Sequence, residues 1–138
     1  MLLDTNVISE LRKVRSGRAA PAIISWEATV SAQQLLLSVI TLQEIEVGIL
    51  RLKRADPRQA SVLEHWLHNY LLVEFRDRLL PVTPAIAMRA AALLIDNNRS
   101  CEDALISATA YIHQMPVVTR NVAHFRNTGV HIINPWQL

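Results

Sequence analysis

Residues 1–10 read MLLDTNVISE, and this stretch decides the fold because it joins a strand pattern to a helix pattern through an acid. The apolar run at 1–3 is short, as expected of a buried strand, and it ends at Asp4. Residues 5–13 are predicted to form a helix, which the Ser-Gly pair at 16–17 brings to an end. The chain therefore begins with a strand, an acid and a helix in immediate succession.

The same alternation of short apolar runs and longer amphipathic segments continues to the C-terminus. It predicts an α/β fold in which helices flank a short parallel sheet. Strands are predicted at 1–3, 35–40, 79–82, 115–119 and 130–133. Helices are predicted at 5–13, 21–30, from Thr41 to a basic end at 51–54, 57–75, 84–97 and 100–114, with a short helix between the last two strands. The chain has only three glycines, which argues against a loop-rich all-β fold.

Length and composition predict one domain spanning 1–138, because 138 residues leave no room for a second core. A hydrophobic content of 51% is enough to fill that core. The single cysteine, Cys101, excludes an intrachain disulfide and a cysteine-type zinc site. No apolar run approaches the roughly 20 residues that cross a bilayer, and Met1 leads directly to Asp4 without space for a signal peptide. We therefore expect a cytoplasmic protein without a membrane segment.

The net charge of +2 does not by itself mark a nucleic-acid binder. The distribution of the basic residues is more informative, because many fall into two clusters. These are Arg12, Lys13, Arg15 and Arg18, and Arg51, Lys53, Arg54 and Arg58. Basic clusters beside an acidic metal pocket suit a polyphosphate substrate. They are equally consistent with solvated helix ends, where Lys and Arg interact favourably with the helix dipole.

Three acids share a setting in the predicted fold, at or just after a junction between a strand and a helix. Asp4 follows the first strand, Glu44 is expected in the first turn of the helix after the second strand, and Asp103 in the first turn of a late helix. The carboxyl ends of parallel strands and the adjoining helix starts meet in one crevice, where ligands bind. We therefore expect these three acids to lie together despite their wide separation in sequence.

Carboxylates gathered in a crevice repel one another unless a cation neutralises them, and oxygen ligands favour Mg²⁺ or Mn²⁺. Such a site can activate water for attack on a phosphodiester without a nucleophilic side chain. Two of the acids also have a structural explanation, because Thr41-x-x-Glu44 and Ser100-x-x-Asp103 match helix N-terminal capping sequences. Asp4 is less readily explained by packing. The residues alone leave a metal site and ordinary helix starts as open alternatives.

Four segments resemble, in the same order, the motifs of PIN-domain proteins, especially the FitB-like branch of the VapC toxins. They are MLLDTNVISE at 1–10, SVITLQEIEVGI at 38–49, EDALISATA at 102–110 and VTRNVAHF at 118–125. The Asn-Pro-Trp ending at 134–136 fits the same branch. The match covers essentially the whole chain. The resemblance therefore implies a PIN-domain fold with three α/β/α layers.

The resemblance implies that Asp4, Glu44 and Asp103 are the metal ligands of a catalytic site that uses Mg²⁺ or Mn²⁺. Asn121 falls at the family's fourth acidic or amide position, and a neutral side chain there would be the weakest ligand of the set. His124 stands where many relatives carry a further acid, so a second metal would lack that carboxylate.

Several neighbours of these positions are candidates for supporting roles. The polar side chains of Thr5, Asn6 and Thr119 either orient ligands by hydrogen bonds or serve as ordinary caps. Arg120 adjoins the proposed site and can meet a phosphate. Glu102 is a candidate neighbour of the site. Glu46 should stay solvated on another face of its helix. Gly48 should allow close helix packing.

The implied function is that of a divalent-metal-dependent endoribonuclease that leaves 5′-phosphate and 3′-hydroxyl ends, and relatives favour structured RNAs such as tRNA. The resemblance makes the chain the toxin of a bacterial VapBC-type toxin–antitoxin pair. It would form a homodimer, and a VapB-like antitoxin would silence it by covering the acidic pocket. DNA would be reached only through the antitoxin. The helix at 57–75 is either a partner surface or part of the core.

Two other functions stay open at this point. A FitB-like module with little nuclease activity would act with a DNA-binding antitoxin as a regulator, and the neutral Asn121 together with His124 favours that alternative. A phosphatase or DNase would use the same carboxylates, because metal sites of this kind are chemically general.

Overall fold

The computed structural model describes residues 1–96 and 98–138. Its strands are β1 (Leu2–Leu3), β2 (Leu37–Ser38), β3 (Leu79–Leu80), β4 (Val117–Val118) and β5 (Ile132–Ile133). Its α-helices are α1 (Thr5–Leu11), α2 (Pro21–Glu27), α3 (Val39–Ala55), α4 (Pro57–Trp66), α5 (Leu72–Glu74), α6 (Pro84–Asp96), α7 (Cys101–Ile112) and α8 (Val122–Phe125). A π-helical turn at Leu67–Leu71 joins α4 to α5, and short 3₁₀ turns lie at Val14–Ser16, Ala32–Gln34 and Pro135–Gln137.

The strands pair in parallel and follow the order β3, β2, β1, β4, β5 across the molecule. β2 pairs with β3, while β4 lies between β1 and β5. A parallel bridge between Leu2 and Leu36 joins the two groups, and the Leu3 N–H donates to the Leu36 carbonyl at 2.9 Å. The order therefore reverses between β1 and β4. In open parallel sheets, ligands bind outside the carboxyl ends of the strands at such a switch point.

The short strands supply two cores, because successive side chains of a strand point to opposite faces. Leu3 and Val118 pack into a cluster with apolar residues of α1, α2, α3, α4 and the π-helical turn. Leu2 and Val117 pack on the other face against Ile106 of α7 and Phe125 of α8. The helix α6 in turn packs on α7. The predicted parallel sheet with helices on both faces is confirmed.

The start of α3 differs from the prediction. The helix begins at Val39, and Ser38 is its N-cap, with an Oγ that accepts the Ile40 N–H at 3.0 Å. The predicted strand at 35–40 and the predicted helix start at Thr41 are therefore wrong in their bounds. Thr41 is fully buried inside the helix, and its hydroxyl reaches the Leu3 carbonyl at 3.4 Å. Ser38 satisfies a free N–H at the helix start, which leaves the Thr41 hydroxyl to act between elements.

The helix predicted at 57–75 is continuous as far as Glu74, although its middle is π-helical. Leu67 and Leu71 are buried, so its apolar stripe belongs largely to the core. The predicted cap at Ser100 is confirmed, because its Oγ accepts the Asp103 N–H at 3.1 Å. The predicted end of the preceding helix at Asn97 lies outside the described residues.

Within 1–96 and 98–138, the structure contains no helix that combines the length and the apolar character needed to span a membrane.

Candidate functional site

Asp4 occupies the switch point between β1 and β4. It is the N-cap of α1, and only 6% of its surface is exposed. Its Oδ1 accepts the Thr5 N–H at 2.8 Å, while its Oδ2 accepts the Asn6 amide at 2.8 Å and the Thr119 hydroxyl at 2.7 Å. Thr119 directly follows β4, so its hydrogen bond to Asp4 spans the point where the strand order reverses. Asp4 therefore combines a capping role with a fixed position at the mouth of the crevice.

The loop after β4 is tied to the start of α1 by a small hydrogen-bond network. The Asn6 Nδ2 donates to the Thr119 hydroxyl at 3.2 Å as well as to Asp4, and the Asn6 Oδ1 accepts the Arg120 N–H at 3.1 Å. The Asn121 N–H donates to the Thr119 hydroxyl at 2.9 Å. Asn6 and Thr119 thus hydrogen-bond to Asp4, and their role in orienting a metal ligand stays a prediction.

Glu44 lies in the second turn of α3, one turn later than predicted, because the helix begins at Val39. The capping explanation for this acid is therefore wrong, since Thr41 is not the N-cap. The Glu44 Oε1 accepts the Thr5 hydroxyl at 2.8 Å across 39 residues of sequence. Thr5 thus connects the two acids, because its backbone N–H binds Asp4 and its hydroxyl binds Glu44. With the capping role removed, the position of Glu44 requires another explanation.

Asp103 approaches the crevice from the first turn of α7, and its side chain is 16% exposed. One of its oxygens, Oδ2, lies 3.2 Å from the Nδ1 of His124. This contact was not predicted, because α7 and α8 are brought together only by the fold. The only hint of this contact in the sequence is that His124 stands where many relatives carry an acid in the fourth motif. The capping of α7 by Ser100 uses the Asp103 backbone and leaves its carboxylate to the crevice.

The charges of the acids act on one another. The pKa of Asp4 is raised, first by burial and then by the charge of Asp103, against the hydrogen bonds from Thr119, Thr5 and Asn6 that lower it. The pKa of Glu44 is raised by burial and then by the charges of Asp4, Asp103 and Glu102, while the hydrogen bond from Thr5 lowers it. This repulsion is unfavourable in the absence of a cation.

The donor set fits a hard divalent cation. Asp4, Glu44 and Asp103 offer carboxylate oxygens, which are the ligands that Mg²⁺ and Mn²⁺ prefer. In the part of the chain that the structure describes, no three His, Cys, Asp or Glu side chains form a ready-made cage for an ion. Mg²⁺ does not require such a cage, because it keeps several waters and takes one or two protein carboxylates. A hydrated ion between these acids would remove their repulsion.

Other predicted residues lie at the edge of this site or outside it. Asn121 is exposed, and its side chain does not cap α8. Glu102 is exposed as well, although its charge reaches Glu44. The expectation that Glu46 is solvated is wrong for one oxygen, since its Oε2 is buried without a hydrogen-bond partner among the described residues. Gly48 is exposed, and a Cβ built on it meets no atom within 4 Å, so it does not serve close helix packing.

Gly48 instead opens a groove that begins at Glu44. The groove has a volume of about 290 Å³ and lies between α1, α3 and α4. Its walls include Ile45, Leu63 and Trp66, and Arg12 lies at its margin with its guanidinium 5.9 Å from the centre of the Trp66 ring. An apolar channel therefore leads away from one of the acids along the molecular surface.

Comparison with known proteins places this geometry in a family. The PIN domain model matches residues 1–130. VapC ribonuclease Y4jK of Sinorhizobium fredii is 32% identical over 142 residues, covering 99% of this chain and 98% of that protein. Toxin FitB of Neisseria gonorrhoeae is also 32% identical, with 99% and 98% covered. A solved structure of FitAB bound to a DNA fragment superposes with a TM-score of 0.84 at 30% identity, covering 99% of this chain and 96% of that one. The chain therefore belongs to the PIN-domain family, in the branch that includes VapC ribonucleases and toxin FitB.

Proposed function

We propose that this protein is a divalent-metal-dependent endoribonuclease and the toxin of a VapBC-type toxin–antitoxin pair. The observation that supports it best is the position of Asp4 at the switch point of the sheet, where the Thr5 backbone binds Asp4 and the Thr5 hydroxyl binds Glu44. Burial first, and then the charges of neighbouring acids that include Asp103, raise the pKa of both carboxyls. A relative that is 32% identical is a VapC ribonuclease, and another is a toxin. We further propose that residues 1–138 form a single PIN domain that acts in the cytoplasm.

In this proposal Asp4, Glu44 and Asp103 hold Mg²⁺ or Mn²⁺, and Asn121 is the weakest member of the catalytic set. A cation held by these acids would supply an activated water and positive charge for the leaving oxygen of the phosphodiester. The chain's own contribution is to fix the acids. Thr119 and Asn6 set the orientation of Asp4, and the Thr5 hydroxyl sets that of Glu44. Attack of water at phosphorus with cleavage of the P–O3′ bond leaves 5′-phosphate and 3′-hydroxyl ends on the RNA, for which tRNA is the first substrate to test.

His124 restrains the third ligand. Its Nδ1 lies 3.2 Å from the Asp103 Oδ2, so one oxygen of that carboxylate already has a protein partner. The other oxygen remains the natural contact for a cation. This arrangement also favours the alternative function, in which a catalytically weak PIN module acts with a DNA-binding antitoxin as a regulator.

A VapB-like antitoxin has a suitable surface on this chain. The groove beside Gly48 starts at Glu44 and continues along apolar walls to Trp66, so a segment lying in it would also cover the acidic pocket. The helix predicted as a partner surface thus contributes Leu63 and Trp66 to the groove, while its buried side chains belong to the core. Because the related FitAB structure is bound to DNA, we propose that DNA is reached through the antitoxin.

The proposed homodimer has a candidate surface on α6. The exposed positions of this helix are nearly all apolar, and Met88 and Ile95, which lie two turns apart on one face, are 76% and 86% exposed. Ala91 and Ala92 lie between them and are also exposed. Contiguous apolar surface of this kind marks an interface more often than a free surface.

The proposal is tested by cleavage of total tRNA with antitoxin-free protein in Mg²⁺, in Mn²⁺ and in EDTA. We expect cleavage that requires metal, produces 5′-phosphate ends and disappears in Asp103→Asn, which also controls for a contaminating nuclease. A DNA pool and a phosphatase substrate, treated in parallel, should remain intact. Absence of RNA cleavage by folded protein that still binds its antitoxin would overturn the ribonuclease and favour the regulatory module.

A further inference from the structure

A second surface lies beside the acidic crevice and is formed by the loop around α8 and the C-terminal turn. It is an open bowl of about 330 Å³. The lining residues that matter chemically are Arg120, Asn121, His124, Arg126, Asn134 and Gln137. The bowl thus presents two arginines and three amide side chains, and none of the residues that line it is acidic. Its chemistry is the opposite of the neighbouring carboxylate cluster.

Arg120 is held in place at the rim of the bowl. Its backbone N–H donates to the Asn6 Oδ1, and the same Asn6 side chain donates to Asp4. Its guanidinium lies 5.5 Å from the centre of the Trp136 ring. A guanidinium that rests on an aromatic ring keeps its N–H groups at its edge, where they can bind a phosphate with two parallel hydrogen bonds. Arg120 is therefore prepared for an anion next to the crevice.

Arg126 also lines the bowl, at the end of α8. Its side chain is exposed, while its backbone carbonyl accepts a hydrogen bond from the Arg99 Nη2 at 3.0 Å. The backbone that carries this second arginine is therefore anchored. Two exposed cations that line the same bowl can contact more than one phosphate of a nucleic-acid backbone.

The bowl opens towards the acids through His124. This residue lines the bowl, and its Nδ1 lies 3.2 Å from the Asp103 Oδ2. A polymer whose scissile phosphate lies between Asp4, Glu44 and Asp103 would therefore continue into the bowl on one side. The groove beside Gly48 is a poorer place for that strand because its walls are mostly apolar.

We infer that the bowl binds the RNA strand on one side of the cleaved bond. Arg120 and Arg126 contact successive phosphates, and the amides of Asn134 and Gln137 bind polar edges of ribose and base. Asn134 already uses its Oδ1 to accept the Trp136 N–H, so its NH₂ group supplies the donors. This inference rests on the proposed function, since it names the position of that function's substrate. Single-stranded RNA is the expected ligand, because its bases and sugars are accessible.

The test is equilibrium binding of a fluorescein-labelled single-stranded RNA of mixed sequence, measured by anisotropy in EDTA so that no metal-dependent cleavage occurs. Wild type is compared with the Arg120→Gln, Arg126→Gln double variant. The matched control is Arg58→Gln, Arg76→Gln, which removes two exposed charges from the start of α4 and the turn before β3. Thermal unfolding of each protein is recorded. A third protein, Arg120→Lys with Arg126→Lys, keeps the charges if the glutamine pair disturbs folding.

We expect the dissociation constant of the glutamine variant to rise by about tenfold. The slope of log K against log salt concentration should become shallower by about 1.4. Each phosphate that an arginine neutralises contributes about 0.7 to this slope for a single strand, and the variant lacks two arginines. The lysine variant should keep the wild-type salt dependence, and the control should bind as wild type does. In Mg²⁺ the KM for RNA should rise in Arg126→Gln while kcat changes little.

Two outcomes separate this inference from the function on which it rests. If wild type binds RNA and the glutamine variant binds it equally well, this inference is overturned alone. If wild type binds no RNA in EDTA but cleaves it in Mg²⁺, this inference is overturned and the proposed function stands, whereas folded wild type that neither binds nor cleaves RNA overturns both.

Discussion

The Thr119 hydroxyl is a saturated hydrogen-bonding group at the centre of the site. It donates to the Asp4 carboxylate and accepts from the Asn6 amide and from the Asn121 backbone. A hydroxyl has one donor and two lone pairs, so all of its capacity is used and its orientation is fixed. Because Thr119 is fully buried, this small group determines where Asp4 points.

Replacing Thr119 by Val preserves its shape but removes these three bonds. We expect Mn²⁺ affinity to fall by about 10- to 100-fold, because ligands that lose an orienting partner bind metal less well. The free energy of unfolding should fall by about 1 kcal/mol. Thr128→Val is the matched control, since Thr128 is also buried and donates to the Phe125 carbonyl at 2.6 Å. Equal Mn²⁺ affinities in both variants, measured by calorimetry, would contradict the role of Thr119.

The raised pKa of Glu44 has a consequence for stability. In the folded protein Glu44 holds its proton to higher pH than in the unfolded chain, whose carboxyl titrates near about 4.3. The contribution of Glu44 to the free energy of unfolding is therefore fully present below the pKa of the unfolded chain. It is lost as the pH rises through the pKa of the folded protein. Glu44→Gln removes the charge and keeps the oxygen that accepts the Thr5 hydroxyl. In EDTA at about pH 7 this variant should be more stable than wild type, by less than about 1 kcal/mol because the group is half-exposed.

Urea unfolding of both proteins from about pH 4 to about pH 7 measures this difference, which should approach zero at the acid end. Mg²⁺ should stabilise wild type more than Glu44→Gln at neutral pH. Glu27→Gln, an exposed position at the end of α2, is the control and should leave the response to Mg²⁺ unchanged. A metal-free Glu44→Gln protein that is less stable than wild type at neutral pH would contradict the repulsion described between the acids.

The setting of the three acids could be predicted from the sequence, as could polar neighbours such as Asn6 and Thr119, whereas the specific contacts of these side chains could not. Asp4, Glu44 and Asp103 each lie beside a strand-to-helix junction, and parallel topology gathers such positions. The Thr119 hydroxyl binds Asp4 across 115 residues, and the His124 ring meets Asp103 only because α8 folds back onto α7. Contacts of this range depend on the packing of whole elements, so local spacing does not reveal them.

Helix α3 shows how a prediction from sequence can misplace the start of a helix by a few residues. Both Ser38 and Thr41 are plausible caps, and the Thr41-x-x-Glu44 spacing favoured the latter. The structure uses Ser38, because the buried Thr41 hydroxyl is directed to the β1 backbone. The strands are each only two residues long, so sequence patterns overestimate their lengths. The order of elements was predictable since it follows from the alternation of apolar runs.

The groove of α3 provides a test of antitoxin binding. A Cβ at Gly48 meets nothing within 4 Å, so the backbone has room for a side chain here, and Gly48→Leu adds apolar volume at the groove. The change should raise the free energy of unfolding by up to about 1 kcal/mol, because Gly is a poor helix former. It should weaken binding of the cognate antitoxin by at least about tenfold, because the new leucine side chain then occupies the space that an apolar side chain of the antitoxin would fill. Surface plasmon resonance with immobilised antitoxin measures the effect.

Gln43→Leu is the matched control for Gly48→Leu, because Gln43 is exposed on α3 and does not line the groove. It should bind the antitoxin as wild type does. Undiminished antitoxin binding by a folded Gly48→Leu protein would show that the groove is not the antitoxin surface.

At the scale of the whole molecule, the two layers of helices have different surfaces. The layer that contains α6 and α7 exposes the apolar face of α6, and no described residue of α6 is among those that line the groove of α3 and α4. Homodimerisation through α6 would leave the antitoxin groove accessible. The molecule could therefore bind its own copy and its antitoxin at the same time.

Met88→Glu tests the dimer. A charge in the middle of an apolar interface should raise the dissociation constant of the dimer by at least about tenfold, because the carboxylate loses its hydration on association. Sedimentation velocity should show a dimer for wild type and a monomer for the variant. Val62→Glu introduces the same charge at a 53% exposed position of α4 and should remain dimeric. Equal association of all three proteins would exclude the α6 face.

The central claim is that Asp4, Glu44 and Asp103 bind a divalent cation, and calorimetric titration of Mn²⁺ into antitoxin-free protein tests it most directly. Asp103→Asn is the informative variant, because it removes a carboxylate while the Ser100 cap, which binds the Asp103 backbone, is kept. We expect saturable Mn²⁺ binding by wild type and at least about tenfold weaker binding by Asp103→Asn. Equal affinities in the two proteins, or no binding by folded wild type, would contradict it.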